Sequence, residues 1–233
     1  MTAAAGVLRW LGLPGAGEAL PERVVVVSPH LDDAVLSLGG AISRASRAGA
    51  HVTVLTVLAG DPDSSEPAGS WDRRAGFETE ADATRGRREE DRRACARVGA
   101  DPEWLPFSDN QYGRPKEEDV IDALGDRLHD AVVLLPGFPL EHPDHAWVNA
   151  LLMGGELGLV RLGHYVEQPY AMWAGKSAPP TWRALPAALR DRFAKDRACR
   201  QYSTQLPLLG EKVLTGIARY EAKRGGEAVS WLG

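Results

Sequence analysis

The sequence predicts an α/β fold with a mostly parallel central sheet, and three adjoining segments carry this prediction. RVVVV (23–27) is an unbroken run rich in β-branched residues, which is typical of a strand buried on both faces. Apolar residues at helical spacing follow in DAVLSLGGAISRASRAGA (33–50), and HVTVLTVLAG (51–60) is a second predicted strand. A strand, a helix and a strand in this order imply parallel pairing with a right-handed crossover.

The later segments continue the alternation of helices and strands. Residues 60–83 form a long polar connection after the second strand, on the side where open α/β sheets bind ligands. The other predicted elements are a helix ending at Gly99, strands at 102–107, 131–137 and 160–173, and helices at 116–130, from Pro143, near 186–202 and near 205–224. We expect one domain over residues 1–233, with 1–22 as an N-terminal extension and 60–83 as the loop beside the functional site.

The composition argues against several classes of protein. The net charge is −5 and no basic block is present, so a nucleic acid is not expected as the main partner. Cys95 and Cys199 lie far apart in helix-like segments, which favours a reducing compartment over a disulfide or a thiolate metal site. Arg9 and Pro14 interrupt the apolar N-terminal segment, and no apolar run is long enough to span a bilayer. We therefore expect a soluble, cytoplasmic protein, and the oligomeric state stays open.

Two turns rich in metal-ligand side chains follow two of the predicted strands. They are His30-Leu31-Asp32-Asp33 after the first strand and His142-Pro143-Asp144-His145 after the strand at 131–137. Both turns lie where a parallel strand passes into a helix, so we expect both at the same edge of the sheet. Pro143 suits the first turn of a helix, and His142 and His145 are three residues apart and can share one face.

Imidazole nitrogen and carboxylate oxygen are ligands for hard and borderline divalent cations. A hydrolytic zinc site uses three protein ligands and leaves one position for water, whose pKa falls to about 7. The two turns supply three histidines and three aspartates, which leaves residues to spare. A spare carboxylate can accept the proton of the water, and a spare imidazole can protonate a leaving amine. The sequence therefore predicts hydrolysis of an amide or an ester, although spacing alone does not tell which aspartate binds the metal.

Each turn also has a simpler interpretation. An Asp-Asp pair after a strand usually caps a helix, and Asp32 or Asp33 would cap the helix that begins near Ala34. A lone His-Pro-Asp turn is usually solvated, but the presence of both turns at matching strand ends favours a shared site. A nucleotide-binding module of similar layout would carry a glycine-rich turn directly after the first strand, whereas Gly39 and Gly40 fall inside the predicted helix.

The two turns resemble the defining motifs of an enzyme family. SPHLDDAVLS (28–37) is similar to the PHPDDE signature of the PIG-L/LmbE family of zinc-dependent N-deacetylases, and EHPDH (141–145) is similar to the family's HPDH motif. Arg87 and Glu90 match the family's Arg-x-x-Glu helix, and the Ser-Pro-His-Leu-Asp-Asp opening resembles a bacterial branch. The resemblance covers roughly residues 23–205 and implies a Rossmann-like three-layer sandwich.

The resemblance implies a role for each polar residue of the two turns. The matching metal ligands are His30, Asp33 and His145, with Zn²⁺ as the family's metal and Fe²⁺ or Co²⁺ suited to the same donors. Asp32 matches the general base, and His142 matches the histidine that assists the tetrahedral intermediate and the departing amine. Asp144 matches a carboxylate that orients an imidazole. A non-hydrolytic protein that binds metal together with a sugar or another ligand remains the alternative, but binding alone requires neither Asp32 nor His142.

The substrates that the resemblance implies are N-acylated amino sugars and their conjugates, which would lose acetate to give the free amine. The candidate substrate-binding residues are Arg87, Trp71 and Tyr112. Trp71 and Tyr112 lie on loops that we expect to rim the site, where an exposed indole can stack on a sugar face. The simpler alternatives are Trp71 as a loop anchor and Arg87 in an ion pair with Glu90 or Asp91 on its own helix.

Overall fold

A computed structural model of the chain describes residues 23–155, 159, 161–185 and 187–232, so the predicted N-terminal extension at 1–22 lies outside the described residues. The strands are β1 (Arg23–Ser28), β2 (His51–Thr56), β3 (Asp101–Trp104), β4 (Val132–Phe138), β5 (Arg161–Val166), β6 (Arg183–Leu185) and β7 (Glu227–Trp231). They form one sheet in the order β3-β2-β1-β4-β5-β7-β6. β1 to β5 pair in parallel, while β7 pairs antiparallel with both β5 and β6. The predicted mostly parallel sheet is confirmed.

The helices are α1 (Asp33–Arg47), α2 (Ser70–Arg74), α3 (Glu80–Val98), α4 (Glu117–Leu128), α5 (Pro143–Gly154), α6 (Tyr170–Trp173), α7 (Leu189–Cys199), α8 (Leu206–Leu209) and α9 (Val213–Arg224). The connection predicted at 60–83 contains α2 and the start of α3. The strand predicted at 160–173 ends at Val166, and the helix predicted near 205–224 is divided into α8 and α9. None of the helices in the described ranges combines the length and the apolar character needed to cross a bilayer.

Helices cover both faces of the sheet because the side chains of β1 point alternately to either side. Val24 and Val26 pack in a core with residues of α1, α3, α7 and α9, whereas Val25 and Val27 pack in a second core with α4 and α5. All four valines are 4% exposed or less. Burial of such a side chain contributes about 1.5–3 kcal/mol, so the valine run holds β1 in the middle of the molecule. The three-layer Rossmann-like arrangement is confirmed.

The sheet has a switch point between β1 and β4. From β1 the chain adds β2 and β3 on one side, and it then returns to add β4 and β5 on the other side. β1 and β4 are therefore direct neighbours, with Val24 opposite Val132. In open α/β sheets, ligands bind in the crevice outside the carboxyl ends of the strands at such a point. The turns that follow β1 and β4 both leave the sheet at this crevice.

Candidate active site

The turn after β1 is organised by Ser28, the last residue of that strand. Its hydroxyl donates to the His30 carbonyl oxygen at 2.5 Å and accepts from the Ala34 amide at 3.0 Å. Asp33 Oδ2 accepts from the His30 amide at 2.9 Å. Asp32 directly precedes α1, but its side chain makes no capping hydrogen bond to the helix. The helix-cap interpretation therefore does not hold for Asp32, because its carboxylate does not bond to the amides at the start of α1.

The turn after β4 leads into α5, which begins at Pro143 as predicted. His142 precedes the helix as its N-cap residue, and its Nδ1 accepts a hydrogen bond from the Asp144 amide at 3.2 Å. Because Nδ1 is the acceptor, the proton of the neutral His142 ring resides on Nε2. His145 lies in the first turn of α5 and is fully buried.

Three donor atoms from the two turns lie close to one another. His145 Nε2 is 3.1 Å from Asp33 Oδ2 and 3.3 Å from His30 Nδ1. His30 Nδ1 is 3.3 Å from Asp33 Oδ2. Zinc–ligand bonds of about 2.0–2.1 Å place neighbouring tetrahedral ligands about 3.3 Å apart. The three residues predicted as metal ligands thus come together at a spacing that fits one divalent ion.

The outer nitrogen of each candidate imidazole ligand is held by a buried carboxylate. His30 Nε2 lies 3.2 Å from Asp144 Oδ2, and His145 Nδ1 lies 2.5 Å from Glu167 Oε2. A carboxylate can only accept, so each ring keeps an N–H toward its outer carboxylate, and His30 Nδ1 and His145 Nε2 are the nitrogens that face Asp33 and are placed to bind a metal. Asp144 also accepts from Arg114 at 2.8 Å, and Glu167 is 1% exposed. The sequence assigned no orienting role to Glu167, because only the pairing of β4 with β5 brings it beside α5.

The electrostatics of the cluster favour a positive charge among the three donor atoms. Burial lowers the pKa of His30, but hydrogen bonds to Asp144 and Asp33 outweigh burial and raise it to about 10. Burial opposes protonation of His145 as well, yet the charge of Asp33 and the bonds to Asp33 and Glu167 raise its pKa to about 9. Burial would raise the pKa of Asp33, but the two imidazoles hold that pKa far below its usual range. A cluster that attracts protons in this way also suits a metal cation.

Asp32 and Arg87 line the cavity next to the three donor atoms. Burial, together with the charge of Asp33, raises the pKa of Asp32 to about 6, although Arg87 opposes this rise. Arg87 pairs with Asp72 at 3.4 Å rather than with Glu90 or Asp91, so the simpler interpretation of an ion pair on its own helix does not hold. The buried Nε of Arg87 makes no hydrogen bond to the protein.

His142 lies at the edge of the same cluster. One ligating nitrogen from each of His30, His142 and His145 lies within 4.8 Å of the other two, which defines a second and looser candidate ligand set. The set with Asp33 has the shorter distances, and we regard it as the better metal site. Burial and the charges of His30 and His145 lower the pKa of His142 to about 4, which keeps this ring neutral.

The candidate centre opens into a cavity of about 530 Å³. Trp71 lines this cavity, and its indole Nε1 donates to Gln205 Oε1 at 2.7 Å. Tyr112 is not part of the described lining of this cavity. Its hydroxyl donates to Asp72 Oδ2 at 2.6 Å and accepts from the Gly69 amide at 2.9 Å, so it anchors the segment that carries α2. Of the three predicted substrate-binding residues, Arg87 and Trp71 reach the cavity and Tyr112 does not.

The fold and the paired turns define an α/β protein with a candidate divalent-metal centre at the switch point of its sheet. A family model described as GlcNAc-PI de-N-acetylase (PIG-L) matches residues 25–154, which include both turns. The match covers more than half of the chain, and the chain belongs to this family.

Several relatives of this chain are named as deacetylases. A 2'-N-acetylparomamine deacetylase of Streptomyces fradiae is 32% identical over 174 residues, which are 64% of this chain and 58% of that protein. The match thus spans less than two thirds of that relative's length. The structure of the A40926 pseudoaglycone deacetylase Dbv21 is 28% identical, with a TM-score of 0.73 over 91% of this chain and 96% of that one. The zinc-inhibited form of teicoplanin deacetylase Orf2 is 26% identical, with a TM-score of 0.71 over 90% and 98% of the two chains.

Proposed function

We propose that this protein is a metal-dependent hydrolase that removes an N-acetyl group from an amino sugar or from a conjugate of one. The observation that carries the proposal is the group of three donor atoms at 3.1–3.3 Å from one another, with Asp32 and His142 beside them in one cavity. A protein that only binds a metal and a sugar requires the donor atoms and the cavity. It does not require a free carboxylate and a neutral imidazole at the same place.

His30, Asp33 and His145 are the residues that would hold the ion, with Zn²⁺ as the first candidate and Fe²⁺ or Co²⁺ suited to the same donors. A divalent ion bound there supplies Lewis-acid activation of a water molecule and of the acyl carbonyl. Asp144 and Glu167 keep the two rings in the orientation in which His30 Nδ1 and His145 Nε2 face Asp33.

Asp32 acts as the general base in this proposal. Its side chain makes no helix-capping bond, and its pKa of about 6 lies closer to neutrality than that of an ordinary aspartate. A base is most effective when its pKa lies near the working pH while its charged form still predominates. Asp32 therefore accepts the proton of the attacking water, and this proton is then available to the departing nitrogen.

His142 and Arg87 serve the substrate as hydrogen-bond donors. His142 is neutral, and its Nδ1 is occupied by the Asp144 amide, so Nε2–H is free to donate to the oxygen or nitrogen of the bond being cleaved. The Arg87 guanidinium lines the same cavity. We assign it to a hydroxyl or carbonyl oxygen of the substrate, because a cationic N–H group is a strong hydrogen-bond donor.

The named relatives support the substrate class. They include deacetylases of 2'-N-acetylparomamine and of the A40926 pseudoaglycone, and removal of an acetyl group is the reaction that these names share. We propose a cytoplasmic location, because Cys95 and Cys199 are free thiols in the interior.

The test combines metal analysis with product detection. The protein is stripped with a chelator and reloaded separately with Zn²⁺, Fe²⁺ or Co²⁺, and acetate release is measured on a panel of N-acetyl amino sugars and their glycosides. Zinc is titrated from below one equivalent, since one of the similar structures is of a zinc-inhibited deacetylase. We expect one ion per chain and metal-dependent acetate release. One bound ion without turnover of any amide or ester in the panel would contradict hydrolysis and favour the binding protein.

A further inference from the structure

Arg114 pairs with the carboxylate that lies behind one of the candidate metal ligands. Its Nη2 lies 2.8 Å from Asp144 Oδ1, while the other oxygen of this carboxylate, Oδ2, lies 3.2 Å from His30 Nε2. Arg114, Asp144 and His30 thus form a chain in which each oxygen of the carboxylate has one partner. No role was predicted for Arg114, which lies in the connection between β3 and α4.

The Asp144 carboxylate requires such partners because it is buried. Its side chain is 4% exposed, and a buried charge is stable only when it is paired and hydrogen-bonded. A guanidinium keeps its positive charge in proteins, whereas an imidazole that binds a metal through its other nitrogen is neutral. Among the described side-chain contacts of Asp144, Arg114 is therefore the one that carries a positive charge when His30 serves as a ligand.

Trp147 supports the guanidinium from the beginning of α5. Arg114 Cζ lies 4.9 Å from the centroid of the Trp147 ring, which is within the range of a cation–π contact. Trp147 is three residues after Asp144, so the two side chains are neighbours on one face of the helix. The indole Nε1 donates to Glu117 Oε1 at 3.0 Å, and this bond fixes the ring. A guanidinium stacked on a fixed ring loses less rotamer freedom when it binds a carboxylate.

The backbone on either side of Arg114 is anchored as well. Two residues before it, the Tyr112 hydroxyl donates to the buried Asp72 carboxylate at 2.6 Å. Pro115 follows directly, and its ring restricts the backbone of the preceding residue to extended conformations. Glu117 begins α4 two residues further on. The side chain of Arg114 therefore starts from a fixed backbone and ends on a buried carboxylate.

The simpler interpretation of this contact is a surface ion pair, since the side chain of Arg114 is 36% exposed. Exposed ion pairs contribute little to stability, and many contribute nothing measurable. The contact with Asp144 differs from such a pair, because the carboxylate is buried and its second oxygen engages a candidate metal ligand. Arg114 is therefore placed to act on His30 through Asp144.

We propose that Arg114 is a positioning residue of the metal centre, which holds the Asp144 carboxylate against His30 and so strengthens the binding of a divalent cation by that histidine. This inference rests on the proposed function and deepens it, because it adds a residue that acts on the centre through another side chain. Without the guanidinium, the carboxylate is free to turn toward solvent, and the Nε2–H of His30 loses its acceptor. A histidine whose outer N–H is not held binds a metal less tightly.

The first measurement is the affinity for Zn²⁺ and for Co²⁺, determined by competition with a chromophoric chelator. Arg114→Met keeps an unbranched chain over Trp147 but removes the charge and the N–H groups. Its affinity should fall about three- to tenfold, which is less than the loss of about 10–100-fold that follows removal of a direct outer partner. Arg114→Lys keeps the positive charge and should restore most of the affinity.

Arg161→Met is the matched control for this measurement. Arg161 also stacks on a tryptophan, with its Cζ 5.3 Å from the centroid of the Trp231 ring. It is the first residue of β5 and pairs with Val132 at the start of β4, so it lies at the opposite edge of the sheet from the two turns. This variant should bind the metal as the wild type does, and circular dichroism verifies the fold of every variant.

The second measurement observes the His30 ring itself. In the Co²⁺-loaded protein, the ring N–H protons of metal-bound histidines give strongly shifted proton NMR signals that vanish in D₂O. We expect two such signals, from His30 and from His145, and Glu167→Gln should displace the signal of His145. In Arg114→Met, exchange with water should broaden the His30 signal and leave the His145 signal unchanged. A general effect on the fold would not distinguish the two rings in this way.

The outcomes separate this inference from the proposed function. Wild-type affinity and two unchanged N–H signals in Arg114→Met would overturn the positioning role and leave the metal centre intact. An equal loss of affinity in Arg161→Met would overturn it as well. Weaker binding with a selective change of the His30 signal would support the role of Arg114 even if no substrate in the panel released acetate. A wild-type protein without the two N–H signals would contradict the metal centre of the proposed function and this inference with it.

Discussion

At the scale of single residues, the candidate centre differs from an ordinary polar cluster because the outer nitrogen of each candidate imidazole ligand is hydrogen-bonded to a carboxylate. Asp144 fixes the outer nitrogen of His30, and Glu167 fixes that of His145. The sequence, through its resemblance to the family, implied that Asp144 orients an imidazole, and the ring that Asp144 contacts is that of His30 in the other turn. The sequence could not predict the role of Glu167, which is 22 residues from His145 and lies beyond the end of another strand.

The first prediction concerns Glu167. In Glu167→Gln, the His145 ring keeps a neutral acceptor but loses the negative charge that raises its basicity. The affinity for the metal should fall by about 10–100-fold, as when such an outer partner is lost in other metal sites. Competition with a chromophoric chelator measures this affinity. Glu141→Gln is the control, because Glu141 is an exposed partner of Lys176 in a nearby loop. Equal affinities in the two variants would remove Glu167 from the metal centre.

The second prediction distinguishes the two candidate ligand sets, which share His30 and His145. If Asp33 completes the site, His142→Ala should retain one metal ion per chain, whereas His145→Ala should lose it. Elemental analysis of the purified variants after dialysis decides between them. Loss of metal in His142→Ala with an intact fold by circular dichroism would establish the three-histidine set instead.

The third prediction separates metal binding from proton transfer. Asp32→Asn removes the base without removing a donor atom, so the metal content should stay near one equivalent while turnover falls by about 10²-fold or more. Acetate release and metal content are measured on the same preparation. Activity near that of the wild type would show that another group accepts the proton.

At the scale of the elements, a kink in α1 links the first metal turn to the end of the chain. Leu38 leaves helical geometry with φ −125° and ψ 15°, and Glu227 of β7 accepts the Gly40 amide at 2.9 Å and the Ala41 amide at 2.6 Å. Lys195 donates to the Ser37 carbonyl oxygen at 3.2 Å and pairs with Glu227 at 2.7 Å. Together they satisfy backbone groups that the kink releases, next to the helical turn that begins with Asp33.

The glycine pair in the middle of α1 is explained by the same contact. A Cβ atom at Gly39 would lie 2.9 Å from Lys195 Cγ, and one at Gly40 would lie 3.2 Å from Glu227 Oε1. The sequence placed these glycines inside a helix but could not assign them a purpose, since Lys195 and Glu227 are distant along the chain. The sequence did not predict β6 and β7 either, because their strand structure also depends on residues that are distant along the chain. They are short, and antiparallel pairing at the edge of the sheet defines them.

The fourth prediction tests the contact between Glu227 and the kink in α1. Glu227→Gln leaves Lys195 with one carboxylate and weakens the acceptor of two buried amides, so the free energy of unfolding should fall by about 3 kcal/mol. Glu221→Gln is the matched control, because Glu221 pairs with the same lysine at 2.6 Å but accepts no amide of α1. Urea unfolding of both variants measures the difference. An equal or larger loss in Glu221→Gln would contradict the role of Glu227 at the kink.

At the scale of the whole molecule, the strand order brings together two turns that are remote in sequence. His30 and His145 are 115 residues apart, and one follows β1 while the other follows β4. The sequence could predict this meeting, because the carboxyl ends of parallel strands share one edge of a sheet. The sequence could not predict that Trp173, Leu208 and Leu209 line the cavity. They lie on the short helices α6 and α8, which have no clear sequence pattern. A metal ion held by both turns would therefore join the two halves of the sheet.

The fifth prediction follows from that connection. A ligand that binds the folded protein alone stabilises it by about 2.7 kcal/mol when its free concentration is 100 times its Kd. For a chain of this size, such a gain raises the unfolding temperature by about 5–10 °C. Differential scanning calorimetry of the stripped and the metal-loaded protein should show this rise, and His145→Ala should abolish it. His51→Ala should preserve the rise, because His51 is a surface partner of Asp101 away from both turns. An undiminished rise in His145→Ala would mean that the ion stabilises the protein from another site and that the two turns do not share it.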